Sequence, residues 1–200
     1  EKDGLLVNEV LDYGPFDVKG SQLKPGDVIE MIDGVRITKE MDYFPLLNKK
    51  VGKKVLVSIF RPSSGKRWEE VVKPVSKSAQ NEMLYKRWIK HNAHIVDSLS
   101  NGRLGYVHIR SMGDASYRDV YADILGKYNR REGVVIDTRF NGGGRLHEDI
   151  EILFSGEKYL EQVIRDTVAC VMPSRRYVKP SIMVVGEANY SNAHGTPWVY

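Results

Sequence analysis

The chain has 200 residues, 42% of them hydrophobic, with 30 lysines and arginines against 26 aspartates and glutamates. The resulting charge of +4 is spread evenly, so no basic face for nucleic acid is predicted, and no apolar run reaches the about 18 residues that a membrane span needs. A single cysteine, Cys170, excludes an internal disulfide; lying in an apolar run, it is expected to be buried and inert.

This length suits two small domains. In the first, residues 4–11 read as a strand. In the run 21–37, Pro25-Gly26 makes a turn, Val28, Ile29, Met31 and Ile32 supply a strand, and Asp33-Gly34 signals a tight hairpin. Residues 40–48 read as a short helix, and 55–60 and 68–75 as two strands around a turn at 62–65. Lys49, Lys50, Lys53 and Lys54 form the densest charge cluster, read as a solvated flank. The polar stretch 76–80 marks a boundary, giving domains of residues 1–77 and 78–200.

Leu84, Trp88, Ile95 and Leu99, with Tyr85, Ile89 and Val96 alongside, have helical spacing and predict a helix over 80–99. His91 and His94 stand i, i+3 on it, but no His-Glu-x-x-His pattern supplies a third ligand and base, so no metal is expected. Strand 104–109, helix 115–128, strand 133–138, helix 145–154 and strand 181–186 follow. This alternation implies a parallel or mixed α/β sheet. Residues 157–179 carry no clear pattern, and 161–172 reads as a strand or an irregular crossover.

The chemistry is concentrated in two places. The apolar run Gly133-Val134-Val135-Ile136 leads into Asp137-Thr138-Arg139-Phe140-Asn141-Gly142-Gly143-Gly144, a buried strand opening onto exposed backbone amides that suit an anion. A phosphate-binding P-loop would need Lys-Ser or Lys-Thr after the glycines, where Arg145-Leu146-His147 stand, and the dinucleotide fingerprint fails at His147. An oxyanion hole is the better chemical reading. The second place is Ser191, in a polar turn after the apolar run 181–185 and before a predicted helix. There the hydroxyl is exposed, and the N–H of Asn192 can join that of Gly142 or Gly143 around a developing oxyanion. By spacing alone, Ser191 reads more readily as an ordinary helix cap.

Three histidines and an Asp-Arg pair accompany these motifs. His194, three residues after Ser191, projects parallel to it and makes a poor general base; with Asn192 it is assigned to the substrate pocket. His108, alternating with Tyr106 and Arg110, reads as a solvent-face residue or a site neighbour, and His147 as a helix-start residue or a substrate contact. Asp137 and Arg139 are expected to hold the loop, with a role in orientation.

The strand Leu104-Gly105-Tyr106-Val107-His108-Ile109, the Asp-x-Arg-Phe-Asn-Gly-Gly-Gly loop and the serine turn resemble, in this order, the core of the tail-specific (C-terminal processing) serine proteases, most of all their tricorn type. Trp88 and Asn92 on the preceding helix fit the same likeness. The resemblance implies a crotonase-like α/β serine-protease core, incomplete at both ends, with Ser191 as nucleophile, Asn192 and Gly142 or Gly143 as oxyanion donors, and a general base from a segment outside these 200 residues. It implies no cofactor, a peptide or protein substrate, and a cytoplasmic or bacterial periplasmic setting; homo-oligomerisation is left open. The run Leu23-Lys24-Pro25-Gly26-Asp27-Val28-Ile29, ending in Asp33-Gly34, is similar to the PDZ pattern, which implies a small, mostly-β module binding an extended peptide by strand addition. The carboxylate-binding loop usual in that fold is not evident. Two rivals remain: a non-catalytic peptide-binding scaffold, and a crotonase-type acyl-CoA enzyme.

Overall fold

A computed structural model describes residues 3–200. It separates into two compact units, one ending at Trp88 and one starting at Ile89. The dividing point lies inside a long helix, α1 (Lys77–Leu99). Ser76 caps that helix, its Oγ accepting the Ala79 N–H at 3.1 Å. The polar stretch 76–80 is therefore a helix start. Helix-favouring Ala, Glu, Met, Leu, Lys and Arg sustain α1, yet none of its residues is buried, and Leu99, expected on a packed stripe, is exposed.

The first unit is a five-stranded antiparallel sheet of β1 (Leu5–Leu6), β2 (Val28–Ile32), β3 (Val35–Arg36), β4 (Val55–Arg61) and β5 (Lys66–Val72). Asp33 and Gly34 take φ of 47° and 79° and join β2 to β3 in the expected two-residue turn. Buried Asp27 gives the Pro-Gly-Asp turn its anchor. It accepts the Lys24 N–H at 2.8 Å and both Nε and a terminal nitrogen of Arg61 at 2.7 Å. That guanidinium holds the Asp27 carboxyl below the usual carboxylate range and lies 4.9 Å from the Trp68 ring centroid. Leu23, Ile32, Ile37, Val55, Val57, Ile59 and Val72 form the core beneath.

Two expected elements are shorter. Only Leu5–Leu6 of 4–11 pairs as a strand; beyond Val7, which still exchanges hydrogen bonds with Asp27 and Gly26, the chain turns away through Tyr13 at φ 63°. The helix over 40–48 is a single 3-10 turn, Phe44–Leu47, with Pro45 at its start and Lys49 at φ 60° just beyond.

The second unit carries a three-stranded parallel sheet of β6 (Leu104–His108), β7 (Gly133–Asp137) and, after a separate antiparallel hairpin, β10 (Ser181–Val184), in the order β10-β7-β6. Helix α2 (Asp114–Ala122), prolonged by a π-helical turn through Lys127, connects β6 to β7; α3 (His147–Ser155) follows β7, and α4 (Asn192–Val199) follows β10. Parallel strands need such crossovers. Val107, Ile109, Val120, Ile124, Val134, Ile136, Ile150 and Leu153 fill the core between sheet and helices. The segment 161–172 is neither a lone strand nor a crossover. It belongs to the hairpin β8 (Leu160–Ile164) and β9 (Thr167–Met172), turned by Arg165 and Asp166 at φ 51° and 60°. Cys170 in β9 is half-buried rather than buried, its Sγ donating to Gln162 Oε1 at 3.1 Å, because the hairpin stands off the core.

Candidate active site

The site is assembled at the carboxyl ends of two adjacent parallel strands, where open α/β sheets place ligands. Val184 of β10 lies in register with Asp137 of β7, so the loops leaving these residues start side by side. Thr138 stitches their roots: its N–H donates to Val184 O at 2.9 Å, and its hydroxyl takes a hydrogen bond from Asn189 Nδ2 at 2.9 Å. Further out, the Tyr190 N–H donates to Asn141 O at 3.0 Å.

The root of the glycine loop is an ion pair with a buried base. Asp137, fully buried, accepts the Tyr106 hydroxyl at 2.8 Å, the Arg139 N–H at 2.9 Å and the Arg139 guanidinium at 2.6–3.0 Å. Burial pushes its pKa up, but the hydrogen bonds from Arg139 and Tyr106 outweigh this and hold the carboxyl below its ordinary value. Burial, with the Asp137 charge beside it, raises the Tyr106 pKa. His108 is half-buried, with Nε2 at 2.9 Å from Arg139 O; a carbonyl only accepts, so Nε2 carries the proton. Burial lowers the pKa of His108 and keeps the ring neutral at pH 7. His108 is thus a neighbour of the loop. The orienting role expected of Asp137 and Arg139 matches this geometry.

The glycine loop is pinned to Met112, whose N–H donates to Gly143 O at 2.9 Å and whose carbonyl accepts the Arg145 N–H at 2.6 Å. Gly144, at φ 143°, lies so close to Met112 O that a Cβ would stand 1.9 Å from it. Gly143, at φ 93°, packs against the serine turn: a Cβ there would meet Ser191 Cβ and Tyr190 O at 2.8 Å, and Asn192 N at 3.4 Å. Its own N–H donates to Asn141 Oδ1 at 2.8 Å. That engagement removes Gly143 from the free amides on which its expected donor role depended. Gly142 and Gly144 keep amides with no partner among the described residues, and Gly144, though part of the predicted loop, was not among its expected donors.

Ser191 holds φ 53° and ψ −127°, a conformation that costs a non-glycine residue about 1–3 kcal/mol. It turns β10 sharply into α4 and leaves the side chain exposed, with no capping hydrogen bond, so the ordinary cap reading fails. The Asn192 N–H, first in α4, has no carbonyl partner among the described residues. The Asn192 side chain is turned elsewhere. Its Oδ1 accepts the N–H groups of Leu146 and His147 at 3.1 Å each, capping α3, and its Nδ2 lies 2.5 Å from His147 Nδ1. The pocket role expected of that side chain is occupied by this bracket. His194 is exposed on α4, its N–H donating to Ser191 O at 2.9 Å. Among the described residues no three His, Cys, Asp or Glu side chains gather as a metal site, and no helix is long and apolar enough to cross a membrane.

Residues 103–200 match the profile of peptidase family S41. The chain is 30% identical over 135 residues to a tricorn protease of Thermoplasma volcanium and 33% identical over 133 residues to a tricorn protease homolog of Saccharolobus solfataricus, in each case 66% of this chain and 12% of the relative. It thus spans about an eighth of those proteins. The crystal structure of the tricorn protease superposes with a TM-score of 0.71 at 20% identity over 99% of this chain and 20% of that one, a likeness of fold. Residues 103–200, which carry the strained serine turn and the glycine loop, belong to peptidase family S41.

Proposed function

We propose that residues 78–200 form the crotonase-like α/β core of a serine endopeptidase in which Ser191 attacks a peptide carbonyl. The observation that carries this reading is the strained, exposed Ser191 beside the unpartnered amide of Asn192 and the glycine loop. Attack converts the carbonyl oxygen to an oxyanion, which the Asn192 N–H receives together with an amide of the loop, that of Gly142 or Gly144 while Asn141 engages Gly143. One such donor is worth about 3 kcal/mol in the transition state. The positive end of α4 adds to it.

A serine hydroxyl needs a base to become a good nucleophile at neutral pH. His108 and His147 are committed to Arg139 O and Asn192, and His194 lies along the Ser191 helix rather than across from it. In keeping with the tail-specific likeness, the base is assigned to a segment outside these 200 residues, which leaves the isolated stretch inactive. Residues 1–77 serve as a PDZ-like module that holds the peptide; an apolar cleft of about 380 Å³, lined by Leu5, Ile29, Tyr43, Phe44 and Leu47, supports this.

The test is labelling of the full-length gene product with a fluorophosphonate, alongside Ser191→Ala. Label confined to the wild type supports the reading. Absence of label in a folded wild type points to the scaffold or acyl-CoA alternative. Serine-dependent turnover by residues 1–200 alone would place the base inside them.

A further inference from the structure

We infer that Asn141 is a positioning residue that selects which glycine amides face the oxyanion, an inference resting on the serine-peptidase reading above. Asn141 is fully buried, and three segments meet on it. Its Nδ2 donates to Ile109 O, just past β6, at 2.7 Å; its Oδ1 accepts the Gly143 N–H at 2.8 Å; its carbonyl accepts the Tyr190 N–H, next to the serine turn, at 3.0 Å.

Only a neutral carboxamide of this length offers a donor to Ile109 O and an acceptor to Gly143 N at once. Aspartate would keep the acceptor but set a buried charge against a carbonyl oxygen, and alanine would leave the buried Ile109 carbonyl and the half-buried Gly143 N–H unpaired. By consuming the Gly143 N–H, Asn141 fixes the peptide planes on either side of it. The neighbouring amides then have one direction open to them, and the serine turn is held to the same residue through Tyr190. The residue touches no reacting atom in this arrangement. It acts through the loop.

The test is made on the full-length protein, with fluorogenic peptide turnover and inhibition by two matched probes. One is a peptide aldehyde, which forms a tetrahedral adduct with the serine; the other is the corresponding peptide amide, which does not. For Asn141→Asp and Asn141→Ala, kcat is expected to fall at least thirtyfold with KM within threefold of wild type. Aldehyde affinity should fall by a similar factor, and amide affinity should stay unchanged. Equal weakening of both probes, or wild-type kcat, would overturn the inference. Should both variants fail to fold, amide hydrogen exchange in the unmodified protein decides: Gly143 is expected to be protected and Gly142 not, and free exchange at Gly143 overturns the inference. Ser191→Ala is run in parallel. If it is inactive while the Asn141 variants behave as wild type, the positioning role fails and the peptidase reading stands; if it is active, both fail.

Discussion

Gly143 and Ser191 are packed so closely that a Cβ on the glycine would stand 2.8 Å from the Cβ of the serine. Gly142, one residue earlier, has nothing within 4 Å of the same position. Adjacent glycines therefore answer differently to one methyl group. Gly143→Ala is expected to lower kcat/KM at least a hundredfold and, with φ at 93°, to cost about 1–3 kcal/mol of stability. Gly142→Ala should stay within about threefold of wild type in kcat/KM, as its amide survives. Steady-state kinetics and thermal melts on the pair separate the outcomes; equal tolerance at both positions would make the loop a mere turn.

Ser191→Ala should abolish turnover and barely move stability. The hydroxyl is exposed and makes no capping bond, so its loss is expected to change unfolding free energy by less than about 0.5 kcal/mol. Activity should drop by about three orders of magnitude or more. A large fall in melting temperature would show that the side chain serves structure.

Asn192→Ala separates the two parts of that residue. The backbone amide stays, so kcat should fall less than about tenfold, while removing the acceptor for Leu146 N and His147 N destabilises α3 by about 1 kcal/mol. Hydrogen exchange along α3 is the direct readout. A change in side-chain preference across a peptide library, with α3 unaffected, would restore the pocket role.

Acidification should weaken the fold in two stages. His108 and Asp137 both have folded-state pKa values below their ordinary ones, so the folded form binds fewer protons than the unfolded chain. For each, stability is highest above the unfolded pKa and is lost as pH falls through the folded value. The first loss begins below about pH 6.5 and the second below about pH 3.9. Melting temperatures measured from pH 8 to 3 should show both steps, and His108→Asn should remove the first. A rise in melting temperature between pH 7 and 5 in the wild type would contradict the assignment.

Legibility in the sequence followed the range of the interaction. Asp33-Gly34 announced its hairpin because the turn is decided by two residues, and the β6, β7 and β10 strands because apolar runs between helical patterns have few other outcomes. The β8–β9 hairpin stayed hidden: Arg165 and Asp166 hold positive φ without the glycine or asparagine that usually marks it. Ser191 and the glycines were singled out by their motif alone. The part played by Asn141 was not, since Ile109 and Tyr190 lie 32 and 49 positions away. The bracket that the Asn192 side chain makes to Leu146 N and His147 N was not legible either, because its direction depends on where α3 begins.

The pairing of Val184 with Asp137 also works as a ruler for the serine turn. A slip of β10 by one residue would carry the turn about 3.3 Å along the strand and reverse the faces of its side chains. Such a shift would undo the close packing of Ser191 on Gly143, where an added Cβ would stand 2.8 Å from Ser191 Cβ. Inserting or deleting one residue within 181–190 is consequently a graver lesion than replacing any exposed residue there, whereas the β8–β9 hairpin, outside the span that sets this measure, should absorb length changes freely.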